Sequence, residues 1–243
     1  MGRRDPRGVQ GELLASDDGV DNAVPEAEAG TPAGDAALTS QAAKLRQARD
    51  LTVTRQLDEA VALYKEIARD DPHNLKARNN LGVLYDELGH HELALEQFEA
   101  ARALDPDGVE VLVNLGSALG SLGRFDDAER ELGRAQVLAP EAAAVRSGLG
   151  ILCFRQGLYD QAEAELRWVC ERDPEHGPAH FYRGEALNRL GRMDEALDIL
   201  ERAARLQPNN YRAFYTMGIL FDRKNLREEA AAMYRKARDL RER

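Results

Sequence analysis

Cysteine is scarce. Cys153 and Cys170 are the only two in 243 residues, too few for a disulfide framework, so nothing in the chain calls for an oxidising compartment. No apolar run approaches the ~20 residues that would cross a bilayer. Arg3-Arg4 lacks the apolar stretch that a twin-arginine export signal needs, and Pro6 stands where N-myristoylation needs Ser or Thr. Basic residues are outnumbered, 33 against 43 acidic, for a net charge of −10 and a pI near 5.1. Phosphate neutralisation needs clustered Lys and Arg, so this balance argues against wholesale nucleic-acid binding. The expectation is a cytoplasmic protein with neither membrane nor nucleic acid as partner.

Catalytic motifs are missing too. There is no phosphate-cradling glycine loop with its lysine and no H-E-x-x-H, and no set of residues supplies nucleophile, base and oxyanion donors. The chain reads as a non-enzyme without cofactor. Cys170, His176 and His180 lie close enough to be drawn as metal ligands. The repeat register described next gives His180 a packing place instead, so no metal is assigned. Cys153 stands where Tyr85 stands in an earlier repeat and reads as packed rather than reactive.

What the chain has in abundance is periodicity. Pro72, Pro106, Pro140, Pro174 and Pro208 stand 34 residues apart. In the same step run Leu81-Gly82, Leu115-Gly116 and Leu149-Gly150, continued by Gly184 and Gly218. So do the turn glycines Gly89, Gly123, Gly157 and Gly191, with Arg55 and Asn225 in that place at the two ends. Ala60, Ala94, Ala128, Ala162, Ala196 and Ala230 recur likewise. Ala77, Leu81, Leu84 and Leu88 share one helix face, and Ala94, Phe98 and Ala101 share another. Each period therefore predicts two antiparallel helices of about 13–15 residues, or ~20 Å. The turn glycine allows the left-handed backbone between them. The mid-helix glycine, which costs about 1 kcal/mol against Ala, is explained by close approach to the recurring alanine.

These residues resemble the tetratricopeptide repeat (TPR) pattern over about residues 41–243. The resemblance implies an all-α, right-handed superhelical solenoid of antiparallel helix pairs. Six repeats are expected, at about 41–74, 75–108, 109–142, 143–176, 177–210 and 211–243, within a domain spanning 39–243. Residues 1–38 carry three basic and eight acidic side chains without helical or strand period, and read as a disordered acidic tail. Leu13-Leu14 within it reads as a chance apolar pair. The last repeat has no closing proline, and its charged run from Arg235 to Arg243 is expected to cap the array against solvent. Arg183 replaces a Leu or Met and is expected to snorkel to water.

The resemblance also implies non-catalytic binding of an extended peptide or partner helix in a concave groove lined by the first helices. The residues just before Leu-Gly should face it, and these include Arg46, Asn80, Asn114 and Tyr182. A carboxamide suits a peptide backbone because it both donates and accepts. Arg46, Arg49 and Asn80 also match the start of the clamp by which TPR co-chaperones hold a C-terminal carboxylate, but Glu110 and Asn114 stand where that clamp needs bases. Near the helix ends, Arg155, Arg189 and Arg223 form a 34-spaced column, which also suits the helix dipole. Phe154, Phe181, Tyr182 and Tyr215 lie beside it, so an acidic, partly aromatic partner is expected there. The function read from this is a protein-binding scaffold or adaptor. The alternatives are a substrate-binding subunit of a transferase complex and an assembly factor stacking end to end; the oligomeric state is left open.

Overall fold

The computed structural model describes residues 32–242, with side chains from Ser40 onward. The acidic segment before residue 32 lies outside these described residues. Twelve α-helices occupy them: α1 (Pro32–Val53), α2 (Leu57–Asp70), α3 (Leu75–Glu87), α4 (His91–Leu104), α5 (Val109–Ser121) and α6 (Phe125–Leu138). Then follow α7 (Ala143–Arg155), α8 (Tyr159–Arg172), α9 (Gly177–Arg189), α10 (Met193–Leu206), α11 (Tyr211–Arg223) and α12 (Arg227–Arg241). No strand occurs among the described residues. Helix α1 starts upstream of residue 39, where the repeat domain was expected to begin.

The helices stop where the sequence marks them to stop. The residue before each recurring proline is pushed to an extended conformation by the ring: Asp71, Asp105, Ala139, Asp173 and Gln207 have φ of −133°, −134°, −143°, −125° and −124°. Within each pair the turn is left-handed, with φ of 78° at Gly89, 74° at Gly123, 81° at Gly157 and 78° at Gly191. Arg55 (63°) and Asn225 (61°) adopt the same conformation. Three first helices start with a side-chain cap: Asn74 accepts from the Ala77 N–H, His176 Nδ1 from Ala179, and Asn210 from Ala213.

The chain forms two compact units. The first ends at Leu122 and holds α1 to α5; the second begins at Gly123 and holds α6 to α12. In the first, α1 packs on α2 and α3 on α4, while α3 also reaches α5. In the second, α7–α8, α9–α10 and α11–α12 are the pairs, and the first helices of successive pairs, α7 with α9 and α9 with α11, touch side by side. Tyr64, Ile67, Leu84 and Phe98 are buried in the first unit; Leu166, Leu187, Leu200 and Leu220 are buried in the second.

Counting Leu75, Val109, Ala143, Gly177 and Tyr211 as place 1 of their repeats, the mid-helix glycine is place 8. Its nearest partner is not the alanine expected from sequence, although at Gly184 the Ala196 carbonyl oxygen follows at 3.5 Å. A Cβ on Gly82 would lie 2.6 Å from the Phe98 ring, on Gly184 2.6 Å from Leu200 Cγ, and on Gly218 2.6 Å from the Tyr234 ring. Place 24, a large side chain four residues beyond the alanine, fills the space that the glycine leaves. The alanines are themselves fully or almost fully buried.

Candidate functional site

The first helices carry the expected site residues, and each unit ties its helices together with a different chemistry. In the first unit the ties are amides and a carboxylate. Asn79, at place 5 of α3, donates to Glu110 Oε1 at 2.6 Å and accepts from Asn114 at 3.0 Å, both on α5. Burial pushes the Glu110 carboxyl above its ordinary value, and the Asn79 bond only partly offsets this. Asn80 is fully buried and donates to the Tyr64 hydroxyl at 3.2 Å. Burial raises the Tyr64 phenol, with Arg49 close enough to oppose the shift. The Asn80 Oδ1 and Arg49 Nε are buried without hydrogen-bond partners among the described residues. Arg46 is exposed. The two asparagines expected to line a groove are thus both engaged inside the packing.

In the second unit rings and guanidinium groups are added to the hydrogen-bonded ties. Phe154 meets Tyr159 at 5.6 Å and Tyr182 at 5.5 Å between ring centroids, and Tyr182 meets Phe181 at 5.1 Å. These separations and their tilted or edge-on angles suit the ring quadrupole. The Arg212 guanidinium lies 5.1 Å from the Phe181 ring, and that of Arg189 lies 6.0 Å from Tyr159. Phe181 is buried beneath this layer, Tyr182 half-buried. Arg189 and Arg223 are exposed, and Arg223 donates to Asn188 at 3.1 Å. Arg155 is half-buried and engaged within the fold. Thr216 donates to the buried Glu185 on the neighbouring first helix. Of the aromatic set, Phe154, Phe181 and Tyr182 come together. Tyr215 is 54 % exposed and pairs instead with Tyr234 of α12, at 5.6 Å.

Arg183 does not snorkel. It donates to Glu163 Oε1 at 3.1 Å, and the Glu163 side chain is 6 % exposed. Breaking such a buried pair costs more than making it gains. Burial pushes the neighbouring Cys170 thiol up to about 11 despite Arg183, and raises Cys153 as well, so thiolate chemistry is suppressed at both. Burial lowers His180, whose Nδ1–H donates to the His176 carbonyl at 3.0 Å. Tyr159, Arg212 and Asn79 were missed from sequence as contributors. Arg212 shares place 2 with Glu110, and Asn79 shares place 5 with Phe181, so reading those two places down the period was the available signal.

A family model for the tetratricopeptide repeat matches residues 45–109, 113–167 and 154–211. A tetratricopeptide repeat protein from Parabacteroides merdae ATCC 43184 is similar in structure, with TM-score 0.69 and 20 % identity, over 82 % of this chain and 78 % of that one. The MSR-1 form of MamA has TM-score 0.51 and 29 % identity, over 69 % and 97 %. A chain of the Cut9–Hcn1 hetero-tetramer of the APC/C has TM-score 0.72 and 16 % identity, over 82 % and 40 %. Among curated proteins none matches.

Proposed function

We propose that this chain, which belongs to the tetratricopeptide repeat family, is a non-catalytic protein-binding scaffold whose second unit holds an acidic, aromatic-bearing segment of its partner. The observation that carries this reading is the ring ladder Tyr159–Phe154–Tyr182–Phe181 with Arg189 and Arg212 laid on it. The half-buried Tyr182 offers an edge to an incoming ring. Arg189 and Arg223 offer exposed guanidinium groups, which fork to carboxylates. A ring contact contributes about 0.5–1.5 kcal/mol beyond its area, and each exposed ion pair about 0.2–1 kcal/mol. Recognition of this kind is modest per contact, salt-sensitive and tolerant of sequence, as an adaptor requires. In the first unit Asn80 and Asn114 act inward, holding the repeats in register, while Arg46 and the adjoining Arg49 remain the basic contribution of that unit.

Fluorescence anisotropy with a labelled peptide alternating Glu with Phe tests the reading. Arg189→Glu together with Arg223→Glu should weaken binding about three- to tenfold, and Tyr182→Ala should weaken it further. A scrambled peptide with Gln for Glu that binds equally well would sink it.

A further inference from the structure

Three contacts join α9 to α11 at successive levels. Arg212 lies over the Phe181 ring at 5.1 Å, Thr216 donates to Glu185, and Arg223 donates to Asn188 at 3.1 Å. The two helices therefore run in step. Across these levels α9 carries one stripe, Tyr182, Glu185 and Arg189, at i, i+3 and i+7. Tyr182 is half-buried and Arg189 exposed, whereas Glu185 between them is 7 % exposed. Arg189 stands one turn beyond Glu185, yet its guanidinium is laid on the Tyr159 ring.

The stripe sets a spacing. Seven helical residues rise about 10 Å, which separates a ring set against Tyr182 from a carboxylate set on Arg189 and Arg223. Three residues of an extended, polyproline-II segment cover about 9 Å and bring both side chains back to one side. In a β-strand the side chains on one side stand about 7 or 13 Å apart, and neither fits. A partner helix would fit with the two side chains about seven residues apart. Glu185 decides between the extended segment and the helix. A carboxylate accepts several hydrogen bonds, and Thr216 supplies one. An extended backbone keeps its N–H groups free to donate; those of a helix are bonded within it. The same carboxylate repels an acidic side chain brought over it.

We propose that the second unit reads an extended partner segment whose ring and carboxylate stand three residues apart, with a backbone N–H between them donated to Glu185 and no acid in the two middle places. This rests on the acidic, aromatic reading of the partner and adds its spacing and conformation. Glu185 is then a specificity residue: it rejects an unbroken acidic run and admits acids only at the level of the arginines.

Anisotropy of labelled peptides at low ionic strength tests this with the full chain. Each peptide carries a single Phe and a single Glu, set two, three, four or seven places apart with alanine between them, in both chain directions. In its preferred direction the peptide with spacing three should bind about three- to fivefold tighter than the others. Glu in a middle place should weaken it about threefold, and this penalty should vanish in Glu185→Gln, whose fold circular dichroism checks. Proline in both middle places keeps the extended shape but removes the N–H groups, and should weaken binding about three- to tenfold. Tightest binding at spacing seven, or affinity indifferent to spacing, to the middle Glu or to proline, would overturn the proposal and leave the acidic, aromatic reading standing. Binding by none of the peptides would overturn both.

Discussion

Asn79 and Phe181 hold the same place three repeats apart, and they solve the same problem differently. Each joins one first helix to the next. Asn79 does so with two hydrogen bonds, to Glu110 and Asn114; Phe181 does so as a buried ring with Tyr182 at its edge and Arg212 over it. The 34-residue period leaves this place free, because both side chains are buried there, Asn79 at 4 % and Phe181 at 3 % exposed. What differs is what remains for a ligand. An amide tie uses up its donors and acceptors and gives a rigid, inward-facing seam. A ring tie leaves edges, and the cations laid on it still face water.

The comparison can be broken or sharpened by substitution. The largest effect is expected from Phe181→Ala, which removes a buried ring at a cost of about 3–5 kcal/mol. Asn79→Ala should cost about 1–3 kcal/mol, since it leaves the buried Asn114 and the partly buried Glu110 short of a partner. Urea midpoints measure both, and equal losses would erase the distinction between the two seams.

What the units share should respond alike. Gly82→Ala drives a Cβ to 2.6 Å from the Phe98 ring, and Gly184→Ala to 2.6 Å from Leu200. Each should cost about 1–3 kcal/mol by overpacking, and a wild-type urea midpoint in either variant would show that its second helix gives way freely.

Smaller and of opposite sign are the pH responses. Glu110 has a folded-state value raised above its ordinary 4.5, so its contribution to stability is present below 4.5 and lost as pH rises through the folded value. His180 has a folded-state value lowered below 6.5, so its contribution is present above 6.5 and lost as pH falls through the folded value. Hydrogen exchange resolved by helix should show α9 loosening on acidification and α5 tightening. Glu110→Gln and His180→Gln should each flatten the response of their own helix alone.

Much of this was legible in the sequence. The prolines, the turn glycines and the Asn225 substitute mark where the helices from α2 to α11 end, because each acts through its own backbone, whereas nothing of the kind marks the start of α1 at Pro32. Side-chain partnership was harder to read. The place-8 glycines and the recurring alanines share a period, which suggested that they meet, whereas the glycines meet Phe98, Leu200 and Tyr234. A period tells which residues are equivalent and is silent on which face each other across a helix pair. The same holds for Arg183: its partner Glu163 lies 20 residues back in the preceding helix pair, and nothing local announces it. Asn80 and Asn114 looked like groove residues by their place, but contacts from neighbouring helices turn them inward.

Trp168, the only tryptophan in the chain, sits on α8 with the guanidinium of Arg172 3.9 Å and that of Arg146 4.8 Å from its ring. The second unit therefore carries a built-in optical gauge that the first lacks. Indole emission follows the surroundings of α8 within the second unit, while far-ultraviolet ellipticity sums over every helix. Coincident curves from the two signals indicate that both units melt as one cooperative body. A gap between them measures how far one unit outlasts the other, without any label or substitution.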